Sequence, residues 1–263
     1  MSRRRPPRRE SLMEIIGNGF IARSLRPIAG KYPDTVVLAA GVSWASGTAI
    51  ADFEREAQLL RETAADCRST GRRLLFFSTA ATGMYGLVDG PGREDQPVVP
   101  CTPYGVHKLA LEEQLQDSGA DHLVLRLGHL VGPGQPAHQL LPTLVRQIRD
   151  GDVRIHRGAA RDLIDVADVV TVIDRLLAQN PSGEIVNVAS GVAVPVERIV
   201  DRLERRLGAT ARRHYQDAGS HHVIAIDKLR SLVPETGHLG FGPHYYERVV
   251  DDFAATVVAT TPS

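Results

Sequence analysis

Tyr104-Gly105-Val106-His107-Lys108 holds the residues best spaced for chemistry. At the start of a helix, Tyr104 and Lys108 are four apart and share one face, about one turn from each other. A free phenol, with a pKa of about 10, is a poor acid or base at neutral pH. A nearby ammonium favours the phenolate and so brings tyrosine toward general acid–base work. The same spacing also arises when an aromatic ring packs on a lysine stem, so the surrounding stretches must decide between the two readings.

Those stretches supply the other parts of a site. Met13 to Ile16 is a short apolar run, followed at once by Gly17-Asn18-Gly19-Phe20-Ile21-Ala22. This is G-x-G-x-x-A between a strand and a helix expected over Ile21 to Ile28. Gly17 permits the tight turn, Gly19 lets the backbone approach a pyrophosphate, and Ala22 allows close helix–strand packing. The helix N-terminus offers free N–H groups to the phosphates. Thr35 to Ala40 is a buried parallel strand by its continuous apolar character, ending in the small residues Ala39, Ala40 and Gly41. Trp44 lies in the loop that follows, lining a pocket or capping the core. Helical periodicity runs over Ala51 to Arg68 through Phe53, Ala57, Leu60 and Ala64. Arg72 to Phe77 is the next strand. Thr79 and Thr82 leave it at the end where α/β sheets bind ligands, placed to bond a carbonyl or to make a hydroxyl-rich turn. Gly86 to Pro103 reads as a loop covering the site, and His122 to Leu127 as another strand.

Composition excludes several classes. The 263 residues carry 31 basic and 31 acidic side chains, a formal charge of zero, so nothing global points to nucleic acid or a membrane surface. No apolar run of about 18 residues occurs, and no membrane span is expected. The cysteines, Cys67 and Cys101, have no metal-ligand spacing, and His221-His222 lacks the partners of a zinc site, so no metal is expected. The cysteine usage points to a reducing, cytoplasmic setting. Ser2 to Ser11, with five arginines and nothing apolar to bury, is expected to be a disordered upstream extension, residues 1–12 lying outside the fold.

In order, G-x-G-F-I-A, V-V-L-A-A, F-F-S-T with M-Y-G, P-Y-G-V-H-K and L-R-L-G-H-L-V-G-P-G resemble the extended short-chain dehydrogenase/reductase family, in the branch that modifies nucleotide-activated sugars. The later R-D-L-I-D-V-A-D-V from Arg161 and E-I-V-N-V-A-S-G from Glu184 are similar to that branch as well. The resemblance spans roughly Met13 to Phe253. It implies an α/β fold, a Rossmann-like doubly wound parallel sheet, and an NAD or NADP cofactor whose identity cannot be read. Tyr104 is then the acid or base, Lys108 also binds the nicotinamide ribose, and Thr79 polarises the substrate carbonyl with Thr82 as its rival. Gly17, Gly19, Phe20, Ile21, Ala22, Ala39, Ala40 and Gly41 line the dinucleotide. Arg161 reaches a substrate phosphate, for which a guanidinium fork is suited. His129 stands where the family usually has asparagine. The family often forms homodimers, here through helices beginning near Asp52 and Tyr104.

The chain departs from the family in two ways. The glycine fingerprint is one residue short. Between Gly19 and Thr35 there is room for one helix and a turn, so the second and third strands are expected to be deleted, along with much of the adenine pocket. A trimmed Rossmann domain over 13–130 with 161–190 is expected, with a small interleaved substrate-binding part over 131–160 and 191–263. The expected reaction is reduction of a keto-sugar on a nucleotide, with epimerase as runner-up. Ala80 and Ala81, directly after Thr79, argue against a dehydratase. A non-redox lyase, cyclase or scaffold is the alternative that the reduced adenine pocket keeps open.

Overall fold

The computed structural model describes residues 12–42, 49–80, 83–85, 90–217 and 220–259. In chain order these form β1 (Glu14–Ile16), α1 (Phe20–Ser24), β2 (Thr35–Leu38), α2 (Ile50–Thr70), β3 (Arg73–Thr79), α3 (Pro103–Asp117), β4 (His122–Leu127), β5 (His129–Val131) and α4 (Leu140–Arg149). Then come β6 (Asp152–His156), β7 (Ala160–Arg161), β8 (Leu163–Asp165), α5 (Val166–Gln179), β9 (Glu184–Val188), β10 (Val194–Pro195), α6 (Val196–Leu207), β11 (Arg212–Gln216), α7 (Asp227–Leu232) and α8 (Tyr245–Ala259).

The central sheet is parallel, in the order β1-β2-β3-β4-β9. Every residue of β2, β3 and β4 is buried, which is what a strand covered on both faces requires and why these runs read as continuously apolar. Side chains alternate between the two faces. Val37, Leu75, Phe77, Leu123 and Leu125 pack with Leu25 of the first crossover and with Val169, Val172 and Ile173 of α5. Val36, Leu38, Leu74, Phe76 and Val124 pack with Leu60 and Ala64 of α2 and with Leu111 and Leu115 of α3. Helices therefore cover both faces. A third apolar cluster joins α4, α6 and α8 through Leu144, Val200 and Val250.

The gap between β1 and β2 contains α1 and a 3₁₀ turn over Arg26–Lys31 and no strand, so among the described residues β1 is an edge strand with β2 as its one neighbour. The helix expected over Ile21 to Ile28 stops at Ser24, with Pro27 in the 3₁₀ turn. Proline lacks an N–H and disfavours helical geometry in the residue before it, so the α-helix cannot run through. The strand expected to stop at Phe77 runs on to Thr79, because Ser78 and Thr79 continue the register with Arg126 and Leu127. No helix among the described residues is long and apolar enough to cross a membrane. The arginine-rich N-terminal segment and Trp44 lie outside the described residues.

Candidate active site

The C-terminal ends of β1 to β4 open into one cleft of about 540 Å³, within the ~300–1,000 Å³ usual for small-molecule sites. Its wall includes Gly19, Phe20 and Ile21 after β1, Ala39 and Gly41 after β2, Thr79 at the end of β3, and Tyr104 and Lys108 from α3. His129 and Arg161 close the far side. The fold thus gathers in one place residues from six separate stretches of sequence.

Three of the expected cofactor residues lie behind the wall rather than on it. Gly17 has φ of +124°, and a Cβ there would collide with the Ala39 carbonyl, so the turn between β1 and α1 presses directly on β2. Ala22 is buried, and Ala40 packs on the α2–α3 side of the sheet. Around a Cβ added at Gly19, by contrast, nothing lies within 4 Å. Thr82 lies outside the described residues. The loop expected to cover the site contributes no wall residue in its described part, 90–102. It is tied instead to β9, where the Asn187 amide N–H donates to Glu94 Oε1 at 2.7 Å and Asn187 Nδ2 donates to the Gly92 carbonyl at 3.1 Å.

α3 begins where its sequence dictates. Thr102 is the N-cap, its hydroxyl accepting from the Gly105 N–H at 3.0 Å, and Pro103 takes the first helical position, where no N–H is needed. Tyr104 and Lys108 then share a face, with the Lys108 ammonium 5.7 Å from the centre of the Tyr104 ring. The Tyr104 hydroxyl donates to the Val42 carbonyl at 3.3 Å, a long bond that a substrate oxygen can replace. Ser78 and Thr79 of β3 both lie on the wall, and the Ser78 hydroxyl donates to the buried Glu112 carboxylate.

Sequence reasoning missed Glu56. This α2 residue is 2% exposed, and its Oε1 accepts from Lys108 Nζ at 2.6 Å. Its Oε2 accepts from the Val42 N–H at 3.2 Å and lies 3.0 Å from His107 Nε2. The available signal was positional: Glu56 stands four residues before Leu60 and eight before Ala64, on the buried stripe of α2. Burial pushes the Glu56 carboxyl up, but the His107 contact, the Lys108 charge and the Val42 N–H together outweigh it and hold the pKa at about 2. The expected tuning of Tyr104 is reversed, chiefly by burial, with Glu56 adding to it. Burial raises the phenol's pKa, the Lys108 charge pulls it down, the Glu56 charge pushes it up again, and the net direction is upward.

At the far side, burial pushes the His129 imidazole down to about 3, with Arg161 and His222 adding to the effect, so it is neutral. Among the described residues its buried Nδ1 has no hydrogen-bond partner. The Arg161 guanidinium donates to the carbonyls of Ala160 at 2.8 Å and Ser220 at 2.9 Å, and among the described residues no carboxylate pairs with it.

The model of the NAD dependent epimerase/dehydratase family matches residues 22–189. The chain belongs to that family. The match opens at Ala22, so the glycine turn before it rests on its own geometry. Among curated relatives of the family, dTDP-6-deoxy-L-talose 4-dehydrogenase (NAD(P)(+)) from Kitasatospora kifunensis is 28% identical over 208 residues, 73% of this chain and 65% of that one. UDP-glucose 4-epimerase from Azospirillum brasilense is 38% identical over 84 residues, 29% of this chain and 24% of that one. Across the full-domain relatives the chain spans between 56% and 65% of their length. The fold is shared with RMD from Pseudomonas aeruginosa complexed with NADPH, at a TM-score of 0.73 and 20% identity over 92% of this chain and 98% of that one.

Proposed function

We propose that this family member is an NAD(P)-dependent oxidoreductase that reduces the ketone of a nucleotide-activated (deoxy)sugar. The observation that carries this reading is the placement of Tyr104, Lys108 and Thr79 on one wall of the cleft at the strand ends. The fold does not oblige that trio to meet there.

The residues fit a dinucleotide. The bare backbone at Gly19 leaves the room that a pyrophosphate needs, and Phe20 and Ile21 line the same end of the cleft. Two of the three ammonium donors of Lys108 are taken, by Glu56 and by the Phe77 carbonyl at 3.2 Å, so one remains for a ribose hydroxyl. When bound, the reduced cofactor supplies a hydride to the ketone carbon. Thr79 hydrogen-bonds the ketone oxygen, an interaction that strengthens as negative charge develops there. The Tyr104 hydroxyl gives its proton to that oxygen, so one hydride and one proton would convert the ketone to an alcohol. The Arg161 guanidinium, with no carboxylate paired to it among the described residues, suits the diphosphate of the activated sugar, with His129 beside it on the wall. In this reading 13–130 with 161–190 hold the cofactor, and 131–160 with 191–263 hold the sugar. The protein works as a homodimer through α2 and α3.

Reduction is favoured over epimerisation because it needs only the Tyr–Lys pair, a hydroxyl and a cofactor that exchanges after each turnover. The short match to UDP-glucose 4-epimerase supports the second reading.

Calorimetric titration of NADH and NADPH into the wild type and into Gly19→Trp tests cofactor use. One cofactor binding the wild type and not the variant is expected. Turnover of a dTDP-4-keto-6-deoxysugar with that cofactor should fall at least ~100-fold in Tyr104→Phe, the scale of a lost general acid. Full turnover in that variant would overturn the assignment. A tightly copurifying, non-exchanging cofactor would favour the epimerase.

A further inference from the structure

Resting on the reading above, we propose that Glu56 is a positioning residue of this site. Its carboxylate claims the Lys108 ammonium and so keeps Tyr104 a phenol, the form that protonates a ketone as it is reduced.

The geometry allows the carboxylate little freedom. Lys108 and His107 of α3 hold one oxygen each, and the Val42 N–H binds the second oxygen as well. Gly41 is bare where a Cβ would collide with Glu56 Oε1, so the end of β2 is shaped to this acid. A buried carboxylate is costly unless paired and hydrogen-bonded, and packing alone gives no reason for one on a stripe that continues as Leu60, Thr63, Ala64 and Cys67.

The charges around Lys108 all favour its ammonium form. Lys108 faces Tyr104 and Glu112 from its own helix and Glu56 from α2, while β3 contributes the Phe77 carbonyl and the Phe76 ring. Glu112 is already paired with Arg126 of β4 at 2.6 Å. Glu56 is therefore the acid in direct contact with the Lys108 ammonium. The ionisable groups acting on Tyr104 are Lys108, which favours the phenolate, and Glu56, which opposes it. A lysine left to itself would lower the tyrosine and suit proton removal, the oxidative direction. With Glu56 beside it, the ammonium still binds and orients, and its field at Tyr104 is opposed by the carboxylate.

The test follows the tyrosine itself and needs no substrate. Protein labelled with ¹³C at the tyrosine ζ carbon carries six reporters, and the resonance missing in Tyr104→Phe is that of Tyr104. A buried charge removed at this range moves a neighbour by at least about one pH unit, a tenfold change in proton affinity. The Tyr104 midpoint is therefore expected to fall by that much in Glu56→Gln. In Glu56→Asp, whose shorter side chain draws back from Lys108, it should fall by less. Should Glu56→Gln not fold, the aspartate variant decides alone. A Tyr104 midpoint that stays at its wild-type value in whichever of these variants folds overturns the proposal.

A second readout uses the reaction. In Glu56→Gln the alkaline limb of the reduction pH profile should move down by the same amount as the tyrosine midpoint, and an unmoved limb would count against the role. Full turnover in Tyr104→Phe would remove the oxidoreductase reading, while the ¹³C titration would still decide whether Glu56 sets the proton affinity of Tyr104.

Discussion

At the scale of single residues, the site depends on neighbours that shift proton affinities in opposite directions. Tyr104 and Lys108 were legible from their spacing, yet the net effect on Tyr104 is upward, because burial raises the phenol and Glu56, beside Lys108, adds to that against the lysine's pull. His129 makes a stability prediction with a definite sign. Its folded-state pKa lies below the ordinary value of 6.5, at about 3, so the unfolded chain binds a proton that the folded one refuses. The stability tied to this is present above pH 6.5 and is lost as pH falls from there toward 3. By pH 5 the loss amounts to roughly 2 kcal/mol, at 1.36 kcal/mol per pH unit. Urea unfolding of the wild type and of His129→Asn at pH 7 and pH 5 checks it. The variant should lose markedly less stability between those two values.

At the scale of elements, the decisive feature is where α3 starts. Thr102 and Pro103 set the first turn, and that turn fixes the height of Tyr104 above the strand ends. Thr102→Ala removes the bond to the Gly105 N–H and is expected to cost about 1 kcal/mol. It should also lower turnover through Tyr104 while changing cofactor affinity less, because Gly19 lies at the start of α1 and Lys108, a turn further along α3, is held by Glu56 and the Phe77 carbonyl. Thermal melts and the separate effects on kcat and KM test both parts. The five-residue α1 is too short to carry a strong dipole, so the phosphate end of the cleft depends on open backbone around Gly19 more than on a long helix.

At the scale of the whole molecule, one buried polar network fastens the sheet to the helix that bears the site. Arg126 of β4 donates to both oxygens of Glu112 on α3 and, at 2.9 Å, to the Tyr85 hydroxyl, which in turn donates to Asn187 of β9 at 2.8 Å. Ser78 of β3 donates to the same Glu112. Arg126 and Glu112 are 2% and 1% exposed, so breaking the pair strands a charge in the core. Glu112→Gln is expected to destabilise the fold by about 3–5 kcal/mol. Replacing both partners together by Met should be far milder, and chemical denaturation of the two variants distinguishes these outcomes.

The sequence alone was enough for whatever depends on near neighbours or on periodicity. That includes the parallel strands, the glycine turn after β1, the Tyr–Lys spacing and the absence of any strand between β1 and β2. Local backbone preference and the burial pattern of a covered strand act over a few residues, so they leave a readable trace. The early end of α1 was readable too, from Pro27, although the apolar run beyond it suggested a longer helix. Only the tertiary structure decided the partners: Glu56 meeting Lys108 from 52 positions away, Gly41 bare because of that carboxylate, and the 90–102 loop held by Asn187 instead of covering the cleft. Burial and through-space charge set proton affinity, and both come into being when distant segments pack together.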